Sequence, residues 1–187
     1  KTLFPYTTLF RSGLPGKSKA IFIFIFTLLL SLGIAFQNNL KQETHFPDSS
    51  FSSLIQHGEI SENVPLKQFI GQPTVINMWA SWCPPCKREM PVLAQAQKDH
   101  PGVRFIWINQ GEDAAAVLRY LQSMPLPPAQ VLLDPDQLAG QHWQQRALPS
   151  TYFYDANGRL RSTRTGELSR ASLSEQLRII APPTQAP

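Results

Sequence analysis

The chain has only two cysteines in its 187 residues. They stand three apart in the run Trp79-Ala80-Ser81-Trp82-Cys83-Pro84-Pro85-Cys86-Lys87-Arg88-Glu89. A C-x-x-C pair between a strand and a helix can form a reversible disulfide, with one exposed, acidic thiol that attacks and one partner that resolves. The apolar run 74–79 reads as the strand and 84–99 as the helix. Cys83 then falls at the helix N-cap, where unpaired backbone N–H groups and the helix dipole favour a thiolate. Pro84 suits the first helical position because it has no N–H to lose there. Cys86, one turn in, is expected to be the more buried thiol, close enough to resolve a mixed disulfide. Lys87 and Arg88 read as a solvated face beside the pair, with a part in tuning the thiols as the alternative.

Two other uses of the pair are weaker. A structural disulfide closing so small a loop would remove little chain entropy. A zinc site needs four ligands, and beyond the two cysteines the candidates are the scattered His45, His57, His100 and His142.

The charge pattern narrows the class further. The formal charge is +4, and Lys1, Arg11, Lys17 and Lys19, all ahead of the first acidic residue Glu43, account for the whole excess. No basic stripe is left to track phosphates, so nucleic acid is not the expected partner. Residues 20–36 are uncharged and almost wholly apolar, at the short end of the ~17–25 residues that cross a bilayer as a helix. With Lys17 and Lys19 ahead of them, the positive-inside tendency puts the N-terminus in the cytoplasm and the remainder outside. A cleaved signal sequence with Gly33-Ile34-Ala35 as its small-x-small site is the other reading, and either exports the cysteines. Residues 1–12 lack an initiator Met and any evident role, and are set aside. The run 13–18 resembles the end of a phosphate-binding loop but lacks its first glycine and the strand before it.

The resulting organisation is a cytoplasmic N-terminus over 1–19, a transmembrane helix or signal sequence over 20–36, and a polar linker over 37–53. A folded domain follows over 54–181, then a proline-rich, disordered tail over 182–187. Within the domain, the patterns predict a hairpin in 54–64, a helical turn at 66–70, and strands at 73–79, 103–109 and 131–133. Helices are expected over 84–99, 112–123 and 136–145. Two strands joined by a tight turn cover 151–165, and a helix with Ser169 as N-cap closes at 168–180. Strands alternating with crossover helices, then a hairpin and a helix, imply an α/β fold with a mixed sheet covered by helices.

On these residues the chain resembles the membrane-anchored thioredoxin-like thiol–disulfide oxidoreductases of the TlpA/ResA type over roughly residues 54–180. The stretch Asn77 to Cys86 matches the family's active-site run, Glu89 its acidic residue near the dithiol, and Pro91 its helix-kinking proline. Leu148-Pro149-Ser150-Thr151-Tyr152-Phe153 matches its cis-proline loop, and Asp155-Ala156-Asn157-Gly158 the turn that follows. The resemblance implies a thioredoxin-like fold with an N-terminal anchor, and no cofactor or metal beyond the redox-active Cys83–Cys86 disulfide.

It also implies roles. Cys83 attacks and Cys86 resolves. Pro149, expected cis, packs against the disulfide, which leaves the backbone at Leu148 to pair with an extended substrate segment. Trp82 and Pro84 border the nucleophile as docking surface, whereas Trp79, Trp107 and Trp143 are packing. Glu89, three residues after Cys86 and so on the same helical face, exchanges protons with the resolving thiol or raises thiol pKa values; its alternative is a surface carboxylate. His57 and His142 are incidental. Asn77 departs from the buried acid of cytosolic thioredoxins, which puts proton handling on Glu89. Ser150 departs from the acidic residue of many cytochrome-maturation members, which weakens a role in that process specifically.

The implied activity is reduction of disulfides in exported proteins, apocytochrome c among the target classes, with electrons from a membrane thiol donor. The cysteines would then lie in the periplasm or another extracytoplasmic space. An oxidant or isomerase of the same fold is one alternative. A non-enzymatic copper-binding assembly factor is another, since soft thiolates suit Cu(I).

Overall fold

A computed structural model describes residues 16–43, 45–54, 60–124 and 130–181. The chain divides into two compact units, Lys1–Lys41 and Gln42–Pro187. The set-aside residues 1–12, the disordered-tail expectation for 182–187 and His57 lie outside the described residues.

The first unit holds most of one long helix, α1 (Gly16–Glu43), 28 residues in length. Among the side chains described on it, Phe24 is 71 % and Phe26 68 % exposed. Among the described residues no helix is long and apolar enough to cross a membrane.

In the second unit, β1 (Ser50–Leu54) and β2 (Ile60–Pro65) form an antiparallel pair, followed by a 3₁₀ turn at Leu66–Phe69. Then come β3 (Thr74–Trp79), α2 (Pro84–Asp99), β4 (Arg104–Gln110), α3 (Ala114–Gln122), β5 (Val131–Asp134) and α4 (Leu138–His142). The chain closes with β6 (Ser150–Tyr154), β7 (Leu160–Thr165) and α5 (Arg170–Ile180). These strands make one mixed sheet in the order β2-β1-β5-β4-β3-β6-β7. The pairs β3–β4 and β4–β5 are parallel, as crossover helices require, and β3–β6, β6–β7 and β1–β5 are antiparallel.

Side-chain alternation along the central strands divides the core between the two faces of the sheet. Val75 and Trp79 of β3, Phe105 and Trp107 of β4, and Phe153 of β6 pack in one cluster with α2 and α5. Their neighbours Ile76, Met78, Ile106, Ile108, Tyr152 and Tyr154 form the opposite cluster with Phe46, Leu66 and Phe69. The same period of two puts Asn77 on the α2 side, between Val75 and Trp79.

Three expected boundaries are corrected. The linker assigned to 37–53 is part helix and part domain: α1 runs through residue 43, Phe46 and Phe51 are buried, and β1 begins at Ser50. The phenylalanines insert into the core, and Phe46 stacks on Tyr154 at 4.4 Å between ring centres. The hairpin therefore starts four residues earlier than expected. The helix expected over 136–145 shrinks to Leu138–His142, because Gln137 and Gln144 take φ of 55° and 49° and break it at both ends. The closing helix starts at Arg170, since Ser169 caps it through a reciprocal capping box with Ser172.

Candidate active site

Helix α2 builds the site by its first turn. Cys83 is the N-cap, in extended conformation, and Pro84 and Pro85 follow. A helix start normally leaves four N–H groups without intrahelical partners. Here two of those positions carry no N–H, and the N–H of Cys86 donates to Cys83 Sγ at 3.2 Å. The prolines thus leave one well-placed donor at the sulfur instead of a fan of them. The cysteines are joined as a disulfide. Both are buried, Cys83 at 3 % and Cys86 at 0 % exposure. The exposed attacking thiol expected from the motif is therefore corrected: it lies only slightly nearer the surface than its partner. Cys83 belongs to the core cluster with Trp79, Met90 and Phe153, a tertiary effect that the spacing of two cysteines does not encode.

Trp82, 64 % exposed, and Leu148 line the same groove as Cys83. The Leu148–Pro149 bond is cis, and Pro149 is buried. Among the described residues the backbone of Leu148 makes no hydrogen bond. An open groove of about 850 Å³ runs past Trp82, Cys83, Pro84 and Pro85 to Leu148, its far wall formed by Gln137, Gln141 and other residues around α4. Trp82, Cys83, Pro84 and Leu148 thus meet along one cleft.

Glu89 is no surface carboxylate: it is 1 % exposed, on the buried side of α2 with Cys86. Its Oε1 accepts from Asn77 Nδ2 at 2.8 Å and its Oε2 from the Leu168 N–H at 2.8 Å. Asn77 Nδ2 also donates to Thr151 Oγ1 at 2.9 Å, across the register pair Asn77–Thr151. Burial raises the Glu89 pKa from 4.5 to about 7, with a lesser push from Glu167; the Leu168 and Asn77 hydrogen bonds pull it down but lose. A group that exchanges protons near neutrality stands one helical turn from the second cysteine.

The flanking cations are engaged elsewhere. Lys87 Nζ sits 5.4 Å from the Tyr120 ring centre, and Arg88 pairs with Glu167 at 2.8 Å. Of the tryptophans read as packing, Trp79 and Trp107 are buried, and Trp143 donates to Tyr154 Oη while stacking on Tyr152. His142 lines a smaller cavity with Trp143 and does not line the dithiol groove. Among the described residues no three His, Cys, Asp or Glu gather as a metal site. The contacts of Thr151, the Leu168 N–H and Glu112, which binds the turn before Cys83, are set by tertiary structure and not by any local motif.

Fold and site together place a C-x-x-C disulfide at the head of a helix in a thioredoxin-like fold. The Redoxin family profile matches residues 41–177, and the chain belongs to that family. It is similar to the thiol:disulfide interchange protein DsbE of Allochromatium vinosum, 36 % identical over 59 % of this chain and 61 % of that protein. The chain thus spans about three fifths of that relative's length. It is also similar to the thiol–disulfide oxidoreductase ResA of Bacillus subtilis, 24 % identical over 89 % of this chain and 96 % of that one. In fold it matches the M. tuberculosis DsbF structure, with a TM-score of 0.61 at 24 % identity over 71 % of this chain and 96 % of that chain.

Proposed function

We propose that the protein reduces disulfides in exported proteins from an anchor in the cytoplasmic membrane. The observation that carries this reading is the dithiol at the head of α2 with a buried, proton-exchanging carboxyl one turn behind Cys86. The thiolate of Cys83 attacks a substrate disulfide, forms a mixed disulfide and expels one substrate thiolate. Cys86 then gives its proton to Glu89 and attacks Cys83 Sγ. That breaks the mixed disulfide, releases the second substrate thiolate and closes Cys83–Cys86. A membrane thiol donor restores the dithiol by the reverse exchange. Glu89 protonates as it accepts and returns the proton when Cys86 is reduced, so charge near the pair stays balanced.

The groove past Trp82 and Pro84 admits an extended segment, and the unpaired backbone of Leu148 offers it a strand partner beside the disulfide. Apocytochrome c, with its C-x-x-C-H haem-attachment segment, is one target class such a groove would admit. The anchor rests on the uncharged run 20–36 behind Lys17 and Lys19, with the catalytic unit on the outer side.

The test is expression of the full chain in a bacterium, followed by membrane fractionation. The protein is expected in the membrane pellet after alkaline wash. The reduced membrane-bound protein is expected to convert a disulfide-bonded C-x-x-C-H peptide to its dithiol, one disulfide per protein molecule. A washed-off protein with a mature N-terminus near residue 36 would overturn the anchor, and an unchanged peptide disulfide would overturn the activity.

A further inference from the structure

We propose that Glu112 is a positioning residue for the dithiol, tethering the turn that presents Trp82 and Cys83. The proposal deepens the reading above and rests on Cys83 being the attacking thiol.

Because β3 and β4 run parallel, their carboxyl ends reach the same edge of the sheet, with Trp79 in register with Asn109. From the end of β3 the chain passes through Ala80, Ser81 and Trp82 to Cys83. From the end of β4 it passes through Gly111, whose φ of +74° suits glycine, to Glu112 just ahead of α3. The Glu112 carboxylate bridges the two exits. Its Oε2 accepts from the Ser81 N–H at 2.7 Å and from Asn109 Nδ2 at 2.7 Å, and its Oε1 accepts from the Ser81 hydroxyl. Three donors thus converge on one side chain, two of them from Ser81, 31 residues away in sequence, and one from Asn109, three residues before it.

The turn is also held at its ends, where Ala80 and Cys83 enter the core and Cys83 is joined to Cys86. Its own backbone supplies the Cys83 N–H to Ala80 C=O bond, at 3.2 Å. Trp82 projects largely into solvent. Glu112 makes no ion pair among the described residues, so these three donors are what its carboxyl group holds. The turn so held matters for chemistry because Cys83 Sγ relies on one N–H donor, that of Cys86. A turn free to shift carries the sulfur off that donor and out of line with an incoming disulfide.

A glutamine at 112 can preserve every contact, its oxygen accepting from Ser81 N–H and Asn109 while its amide donates to the Ser81 hydroxyl. Charge and tether can therefore be separated. The full-length protein is reduced, and the rate of iodoacetamide alkylation at Cys83 is followed by mass spectrometry across pH 5 to 10, beside exchange with a disulfide peptide. In Glu112→Ala the alkylation profile is expected to shift to higher pH and exchange to slow by about tenfold to a hundredfold, the range a small misplacement of a reacting group produces. Cooperative thermal unfolding is expected to persist, and Glu112→Gln is expected to restore both the profile and the rate. A Glu112→Ala protein with the wild-type profile overturns the proposal, as does a Glu112→Gln protein as impaired as the alanine variant, which would assign the effect to charge. Should Glu112→Ala not fold, Ser81→Ala, which removes the hydroxyl arm alone, is expected to show a smaller shift in the same direction; no shift overturns the tether. Failure of the underlying reading looks different, because the wild-type protein itself would then show no reactive Cys83.

Discussion

A Cys86→Ser protein is expected to accumulate as mixed disulfides with its partners on Cys83, while Cys83→Ser loses exchange altogether. The asymmetry follows from the first turn of α2. Cys83 has the N-cap position and the Cys86 N–H at its sulfur, and it lines the groove. Cys86 is wholly buried and has the Glu89 carboxyl on its side of the helix. Resolution by Cys86 is intramolecular, and well-oriented intramolecular reactions have effective molarities of about 10⁵ M or more. External thiols cannot match that, so release of the partner is expected to slow by at least about a thousandfold when Cys86 is removed. Non-reducing electrophoresis with mass spectrometry of the adducts reads the result. Adducts on Cys86 in a Cys83→Ser protein, and none on Cys83 in the converse variant, would reverse the assignment.

The second large effect belongs to Glu89. Its folded pKa of about 7 stands above the unfolded value of 4.5. The folded state therefore holds a proton that the unfolded state has released between those limits. The stability attached to that proton is complete below about pH 4.5 and lost as pH rises through 7. A displacement of that size corresponds to about 3 kcal/mol. Glu89→Gln removes the ionisable group while Asn77 can reverse its amide to satisfy the new donor. The oxidised variant is expected to gain on wild type by up to about 3 kcal/mol between pH 4.5 and 8.5 in urea unfolding. Resolution of a mixed disulfide is expected to slow in the same variant and to lose its dependence on pH near 7. A stability difference between the two proteins that is constant with pH would contradict a buried, neutral-leaning Glu89.

How far the sequence foretold all this varies with how local each feature is. The span of α2 was readable because its signals lie within the element: Pro84 after the cap and His100-Pro101-Gly102 beyond the end. Ser169 was readable as a cap for the same reason. Phe46 and Phe51 were lost in a polar stretch, since two isolated aromatics carry no period and only the folded sheet gives them a core to enter. The shortening of α4 turns on left-handed backbone at Gln137 and Gln144, a conformation glutamine does not advertise. Glu89 was legible as a helical neighbour of Cys86, but its burial, and so its raised pKa, depends on Asn77, Thr151 and Leu168 arriving from elsewhere. Glu112 was visible only as an end of a helix. Its hold on Ser81 exists because two parallel strands finish side by side.

The direction of electron flow through Cys83 and Cys86 decides whether the protein reduces or oxidises its partners. A stabilised thiolate makes a disulfide oxidising, because it favours the reduced form. Here two prolines have removed donors from the helix start, and a carboxylate half-ionised near neutrality stands behind Cys86, so the thiolates are weakly supported. The most direct measurement is the reduction potential of Cys83–Cys86, by equilibration in thiol buffers at pH 7. The expected value lies near that of thioredoxin, about −270 mV; a value near about −120 mV, that of a strong disulfide oxidant, would contradict a reductant.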